Sequence, residues 1–320
     1  MPNKIPSTSV VIAAYNAEPW IGTTLESFCR QTTADFEVIV VDDGSIDRTV
    51  AVARSFADRL DLQILSEPHD RGPSRPRNVG IRAARGDLIV ECDADDLAAP
   101  SRVASLRAAW VRAGQPDCLL FSDFSVINAE GRALTEGELA NYPRLINASC
   151  VPIDETMCSL SPAAAYDALL GGCYIRPCTA ATPRKVLAKI GGYDETVRIV
   201  EDYDLYLRLA REYPFIWVRE VLASYRRTPG NITTRPIHQL APSRVALLAK
   251  QLKLNLTVAQ QRIVRRTLSE EYFDLAYHYG NDRNLGQSLR NYWRAFEERP
   301  SLKAVDGALR SIAKSVIRNR

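Results

Sequence analysis

Four short apolar runs rich in β-branched residues, at 9–13, 36–41, 62–65 and 88–92, alternate with stretches of helical periodicity. No other feature constrains the fold as strongly. The helical stretches are 19–30, 49–56, 78–84 and 100–111, the last opening on Pro100. Alternation at this spacing implies βαβ units, a mostly parallel sheet and right-handed crossovers. In such a sheet ligands bind in the crevice beyond the carboxyl ends of the strands, so the residues just after each run carry the functional information.

Those residues are unusual. After the fourth run come Asp93, Ala94, Asp95 and Asp96, three carboxylates within four positions that repel one another unless a cation or solvent compensates them. Asp93 and Asp95 fit an oxygen-bound divalent ion on a diphosphate, whereas Asp96 is equally suited to capping the following helix. After the first run stand Ala13, Ala14, Tyr15 and Asn16, and after the second Asp42, Asp43, Gly44 and Ser45. A ring there can stack on a base and a carboxylate can accept from a base or ribose. Turn chemistry with Asx capping accounts for the same acidic residues. The stretch Arg71-Gly72-Pro73-Ser74-Arg75-Pro76-Arg77-Asn78 offers cations and backbone N–H groups leading into a helix, which suits phosphate, and also reads as a solvated basic loop. Further on, Gly191-Gly192-Tyr193-Asp194-Glu195 precedes Glu201-Asp202. Consecutive helical side chains diverge by about 100°, so one of these two carboxylates can face a cleft as a general base. The other reading of the pair is charge at a helix N-terminus.

The rest of the chain is less regular. A further strand is predicted at 118–126, an irregular, acceptor-facing segment at 128–161, helices at 183–190 and 201–211, and short strands at 215–218 and 222–225. After Pro236 the pattern is helical to the end, including one hairpin resembling a tetratricopeptide unit near Tyr272 to Pro300. This last part is basic: from 240 onward there are 15 Lys/Arg against 7 Asp/Glu, leaving 26 against 31 before it. Residues 302–317 carry an apolar stripe interleaved with Lys303, Arg310 and Lys314, expected to pack on the catalytic domain or a partner subunit, with an anionic membrane as the other surface it fits. Seven cysteines without a Cys-x-x-Cys pair point to reduced, cytosolic thiols. Three widely spaced histidines argue against a structural zinc site. No apolar stretch approaches the ~20 residues that span a bilayer, and no export signal is evident.

In order and spacing, the segments Val-Val-Ile-Ala-Ala-Tyr-Asn-Ala, Val-Val-Asp-Asp-Gly-Ser-Ile-Asp, Arg-Asn-Val-Gly-Ile, Cys-Asp-Ala-Asp-Asp and Gly-Gly-Tyr-Asp-Glu followed by Glu-Asp-Tyr-Asp-Leu resemble family 2 inverting glycosyltransferases of the GT-A fold, over about residues 8–235. The resemblance implies an α/β, Rossmann-like domain over 1–235, with a mixed, mostly parallel sheet flanked by helices. A nucleotide-sugar half (1–127) and an acceptor half (128–235) would precede a helical extension at 236–320. It further implies that Ala13, Tyr15, Asp42, Asp43, Arg77, Asp93 and Ala94 contact the donor nucleotide, that Asp95 holds Mn²⁺ or Mg²⁺, and that Asp202 deprotonates the acceptor. Glu201, Arg226 and Arg227 would contact substrate, the two arginines ahead of a donor-covering segment at 228–233. The implied reaction is non-processive transfer from a nucleotide-diphosphate sugar, most often a UDP-sugar, to a hydroxyl of a saccharide or lipid-linked saccharide in bacterial polysaccharide or glycoconjugate biosynthesis. The implied setting is the cytoplasm, with peripheral contact at the inner face of the membrane and homo-oligomers admissible. No nucleic acid partner is expected from a formal charge of +3. A binding module without turnover and a sugar-phosphate nucleotidyltransferase are the competing classes. The latter usually has a Gly-rich loop where this chain has Ala13-Ala14-Tyr15-Asn16.

Overall fold

A computed structural model describes residues 6–69, 72–228 and 231–318, excluding the side chains of 233 and 316–318. Arg71 of the basic loop and Pro229-Gly230 of the donor-covering segment lie outside the described residues. So do the side chains of Val316 and Ile317 in the terminal apolar stripe. The chain divides into two compact units, Met1–Leu169 with Cys173–Thr228, and Leu170–Gly172 with Pro229–Arg320.

The first unit opens as the alternation predicts: β1 (Thr8–Ala14), α1 (Glu18–Cys29), β2 (Phe36–Asp42), α2 (Thr49–Arg54), β3 (Leu62–Ser66), α3 (Ser74–Ala83) and β4 (Leu88–Asp93). It continues with β5 (Leu97–Ala98), α4 (Arg102–Arg112), β6 (Leu119–Ile127), β7 (Ala133–Thr135), α5 (Pro143–Ile146), β8 (Cys150–Pro152), β9 (Met157–Leu160), α6 (Pro162–Leu169), β10 (Ala180–Pro183), α7 (Arg184–Ile190), α8 (Glu201–Ala210) and β11 (Phe215–Arg226). The spatial order is β3-β2-β1-β4-β10-β6-β11-β9-β8. β3, β2, β1 and β4 are parallel, whereas β10 runs antiparallel between β4 and β6. Val10, Ile12, Val38, Ile39, Val41, Leu88, Ile89 and Val90 have no exposed surface, as expected for strands covered on both faces.

Register carries the functional residues to one edge of the crevice. Ala13 of β1 lies opposite Val41 of β2 and Asp93 of β4, and Ala14 opposite Asp42. Tyr15, Asp43 and Asp93 therefore emerge together from three neighbouring strands. α3 packs tightly on this sheet because Gly80 lacks a side chain: a Cβ there would stand 2.5 Å from Cγ1 of Val11.

Three departures from the sequence reading concern this unit. The predicted strands at 215–218 and 222–225 are one strand, β11, whose pairing with β6 shifts at Val218/Val221 and Val221/Ala223, and these irregularities imitate a break. The segment expected to be irregular holds β7, α5 and the β8–β9 hairpin. Asp123 accepts from the backbone N–H groups of Glu138 and Leu139 at 2.9 and 3.0 Å, tying the segment down. Cys150 and Cys158 are disulfide-bonded across β8 and β9, a correction to the expectation of reduced thiols. Their short spacing of eight residues carries no recognisable motif, and antiparallel pairing brings them together.

The second unit is helical: α9 (Ile237–Leu252), α10 (Val258–Asn281), α11 (Leu285–Glu298) and α12 (Leu302–Arg318). Thr257 starts α10 with a reciprocal capping box to Gln260. Serines settle the close packing: Ser269 donates to Ala295 O at 2.8 Å, and Ser288 donates to Ala276 O at 2.8 Å and lies 3.0 Å from the Ser311 hydroxyl. Ala304 and Ser311 form the buried side of α12, while Leu302, Val305, Leu309 and Ile312 are exposed. Among the described residues no helix is long and apolar enough to cross a membrane.

Candidate functional site

The site is organised around Arg77, on α3, which is 5% exposed. Its Nη2 donates to Asp93 Oδ1 at 2.6 Å and its Nη1 to Glu201 Oε1 at 2.6 Å, and its guanidinium lies over the Tyr193 ring at 5.2 Å. One fork thus joins the end of β4 to the first turn of α8. Its two acidic partners hold the guanidinium well above its already high pKa despite burial.

Beneath it Glu91 is 2% exposed, accepts from the Tyr193 hydroxyl at 2.6 Å, and has its other oxygen without a hydrogen-bond partner among the described residues. Burial pushes this carboxyl up, against the hydrogen bond from Tyr193 and the nearby Arg77. Tyr193 is itself placed by Asn78, which accepts from its backbone N–H and donates to its carbonyl, both at 2.9 Å. That contact requires glycine next door: Gly192 has φ +67°, and a Cβ would sit 2.5 Å from Asn78 Oδ1.

On α8 the two carboxylates have different surroundings. Burial pushes Glu201 up to about 7 against the pull of Arg77, to which it is bonded. Asp202 is half-buried and, among the described residues, accepts a local hydrogen bond from the backbone N–H of Tyr203 at 2.7 Å. Burial raises it too, while Arg77 and Arg176 lower it. Ahead of both, Val200 adopts φ 64°, a conformation that costs a β-branched residue on the order of 1–3 kcal/mol and turns the chain into α8.

The three aspartates after β4 separate in role. Asp96 is fully buried and accepts from the backbone N–H of Arg226 at 2.8 Å, so it secures the end of β11 and does not cap a helix. Asp93 is committed to Arg77. Asp95 is half-buried, and burial followed by the proximity of Asp93 pushes its carboxyl up to about 7. With Asp93 paired to Arg77, Asp95 is the carboxylate of this edge left to offer oxygen donors, the ligand type that Mg²⁺ or Mn²⁺ takes alongside phosphate oxygens and water. Ala94 is buried, and its carbonyl accepts from Thr24 of α1 at 2.9 Å.

Beyond the end of β1, Tyr15 is 46% exposed and stacks on His69, with ring centroids 4.0 Å apart and planes 13° from parallel. His69 Nδ1 lies 2.9 Å from Asp43 Oδ2. Asp42 instead accepts from the backbone N–H of Ser45 at 3.3 Å, the turn role held open in the sequence. Ala13 is half-buried beside Asp93 in register. Arg226 turns inward, donating to Asp95 O at 2.7 Å and Ala129 O at 2.9 Å and lying over the Trp20 ring at 5.3 Å. Arg227, just past the end of β11, is exposed. The two arginines therefore do not act as a pair.

Two residues were missed. His69 lies in the loop after β3, where an isolated histidine gives no signal. Arg176 lies in a 3₁₀ approach to β10; its guanidinium covers the Tyr225 ring at 5.6 Å and its Nε has no hydrogen-bond partner among the described residues.

A parallel-led sheet with this crevice and an acidic Asp-x-Asp edge defines a GT-A fold. Residues 9–154 match the family model Glycosyl transferase family 2. Over 146 residues it is 35% identical to the succinoglycan biosynthesis protein ExoO of Rhizobium meliloti (strain 1021), covering 45% of this chain and 41% of that protein. The chain thus spans less than half the length of that relative. Staphylococcus aureus TarS 1–349 in complex with UDP-GlcNAc superposes with a TM-score of 0.65 at 18% identity, covering 98% of this chain and 92% of that one. The mannosyltransferase PcManGT from Pyrobaculum calidifontis, in complex with GDP-Man and Mn²⁺, gives 0.55 at 21% identity, covering 98% and 82%.

Proposed function

We propose that the chain is a metal-dependent, inverting, non-processive glycosyltransferase that moves a sugar from a nucleotide-diphosphate sugar, a UDP-sugar first, to a hydroxyl acceptor in bacterial polysaccharide or glycoconjugate biosynthesis. The observation that carries this reading is the Arg77 fork between Asp93 and Glu201. It fixes the donor-side carboxylates relative to the helix bearing Asp202, and by occupying Glu201 it leaves Asp202 as the member of that pair able to take a proton.

Residues 1–127 supply the donor half: the Tyr15–His69 stack and Asp43 meet the base, and Asp93 and Arg77 lie toward ribose and phosphates. Asp95 is the metal ligand; Mg²⁺ or Mn²⁺ bound there supplies positive charge to the leaving diphosphate. Residues 128–235 supply the acceptor half. As the acceptor oxygen bonds to the anomeric carbon from the face opposite the diphosphate, Asp202 takes its proton and the bond from carbon to phosphate oxygen breaks, the nucleoside diphosphate leaving with the electron pair. A carboxyl raised by burial suits this role, since a base works best near the ambient pH. Arg176, which pulls that carboxyl down, keeps it ionised often enough to serve. The exposed stripe Leu302, Val305, Leu309 and Ile312, with Lys303, Arg310 and Lys314, is read as a peripheral contact to an anionic membrane where lipid-linked acceptors reside.

The test is a thermal-shift panel of UDP-, GDP- and dTDP-sugars with Mn²⁺, followed by release of nucleoside diphosphate from the stabilising donor. Stabilisation with release upon addition of acceptor is expected. Stabilisation without release under any acceptor would favour a binding module, and no stabilisation by any donor would overturn both readings.

A further inference from the structure

The second unit brings together two of the three histidines that the sequence separates. His238 stands in the first turn of α9 and His278 in the last turn of α10, 40 positions apart, yet His238 Nδ1 lies 2.8 Å from His278 Nε2. The same His278 Nε2 lies 3.0 Å from Oδ2 of Asp282, one turn further on. One ligand atom from each of the three residues falls within 4.8 Å of the others. Spacing alone argued against a structural zinc site, and the fold nevertheless brings two of the widely spaced histidines together.

Hydrogen bonding alone does not satisfy this arrangement. A ring nitrogen has a single in-plane position, so His278 Nε2 can donate to Asp282 or accept from His238, but cannot do both. A cation taking lone pairs from all three groups removes the conflict. Donors at ~2.0–2.1 Å from a tetrahedral zinc stand about 3.3 Å from one another, so the 2.8 and 3.0 Å separations at His278 Nε2 open by a few tenths of an ångström, while the third pair, within 4.8 Å, adjusts to the same distance by side-chain rotation. The negative end of α10 favours a cation at this place and the positive end of α9 opposes it. Each such effect is about 0.3–1 kcal/mol and the two roughly cancel, so the ligands decide.

We propose that His238, His278 and Asp282 bind a borderline divalent transition metal, Zn²⁺ being the fitting representative, with water at the fourth position. The ion closes a loop of 40 residues and staples the start of α9 to the end of α10. It is distinct in donor chemistry from the all-oxygen set at Asp95, and the proposal does not depend on the glycosyltransferase reading.

The full chain, stripped with EDTA, is titrated with Zn²⁺ by calorimetry beside the Asp95→Asn and His278→Ala variants, and Zn²⁺-dependent melting is followed in each. Expected are one Zn²⁺ per chain in wild type and in Asp95→Asn, affinity lower by roughly 100-fold or more in His278→Ala, and loss of the melting shift there. Equal binding by wild type and His278→Ala, or no binding by wild type, would overturn the proposal, as would loss of the equivalent in Asp95→Asn alone. Should His278→Ala fail to fold, the ¹⁵N resonances of wild-type histidines decide: Zn²⁺ must shift those of both His238 and His278, and unshifted resonances would reject the site.

Discussion

Arg77 donates to Asp93 across 2.6 Å from a guanidinium that is all but sealed from solvent. The same fork reaches Glu201, so one side chain braces two sequence-distant parts of the site.

Arg77→Ala leaves Glu201 buried without its cation. Removing one partner of a buried pair costs about 3–5 kcal/mol, and because Glu201 already sits near 7 it can neutralise itself, which places the loss at the lower end, about 3 kcal/mol. Urea denaturation measures this, and a loss below about 1 kcal/mol would contradict the bracing role. Arg77→Lys keeps the charge but not the fork, and is expected to fold while binding nucleotide sugar at least about tenfold more weakly.

Asp202→Asn removes the proposed proton acceptor and little else, because among the described residues its hydrogen bond is a local one, from the backbone N–H of Tyr203. Donor binding by calorimetry is expected to stay within about threefold of wild type, while transfer falls by about 10²–10⁴-fold. Transfer at the wild-type rate would remove Asp202 from the mechanism.

The raised carboxyl of Asp95 has a definite sign in stability. Its folded pKa of about 7 exceeds the ordinary 3.8, so its contribution is fully present below about pH 4 and is lost as pH rises toward and through 7. Other carboxylates held low, Glu37 among them, act in the opposite direction at acid pH, so the difference between wild type and Asp95→Asn is the quantity to follow. Without metal, the variant should gain on wild type in melting temperature between pH 4 and 8, and Mn²⁺ should erase that gain by stabilising wild type alone. A flat difference across that range, with no response to Mn²⁺, would count against the metal assignment.

Gly192→Ala combines a left-handed backbone with a Cβ driven to 2.5 Å from Asn78 Oδ1. A loss of about 1–3 kcal/mol in stability is expected, with displacement of Tyr193 from Glu91. Thermal and urea unfolding measure it, and a variant as stable as wild type would mean that Asn78 yields freely.

The strands and the Asp93–Asp96 edge were legible because they depend on local pattern: β-branched runs end where carboxylates begin. The fork of Arg77 was half legible, since a basic loop before a helix signals phosphate but says nothing of Glu201, 124 positions away. His69, Arg176 and the His238–His278 pair were invisible for the same reason. Each gains meaning only from a partner brought near by tertiary packing, and a lone histidine or arginine has no periodicity to betray it. For Asp96 the sequence offered a cap because capping is a local role, while the group it secures, the Arg226 N–H, arrives 130 residues later.

The stretch from Ile127 to Ala180 leaves the sheet on β6 and rejoins it on the adjacent β10, and in between its ladder contacts are with β6 through β7 and with β11 through β9. A segment that departs from and returns to neighbouring strands can be exchanged without rethreading the sheet. On the proposed reading, a chimera spliced at those two strands exchanges the acceptor-side segment while keeping the residues proposed to hold the donor.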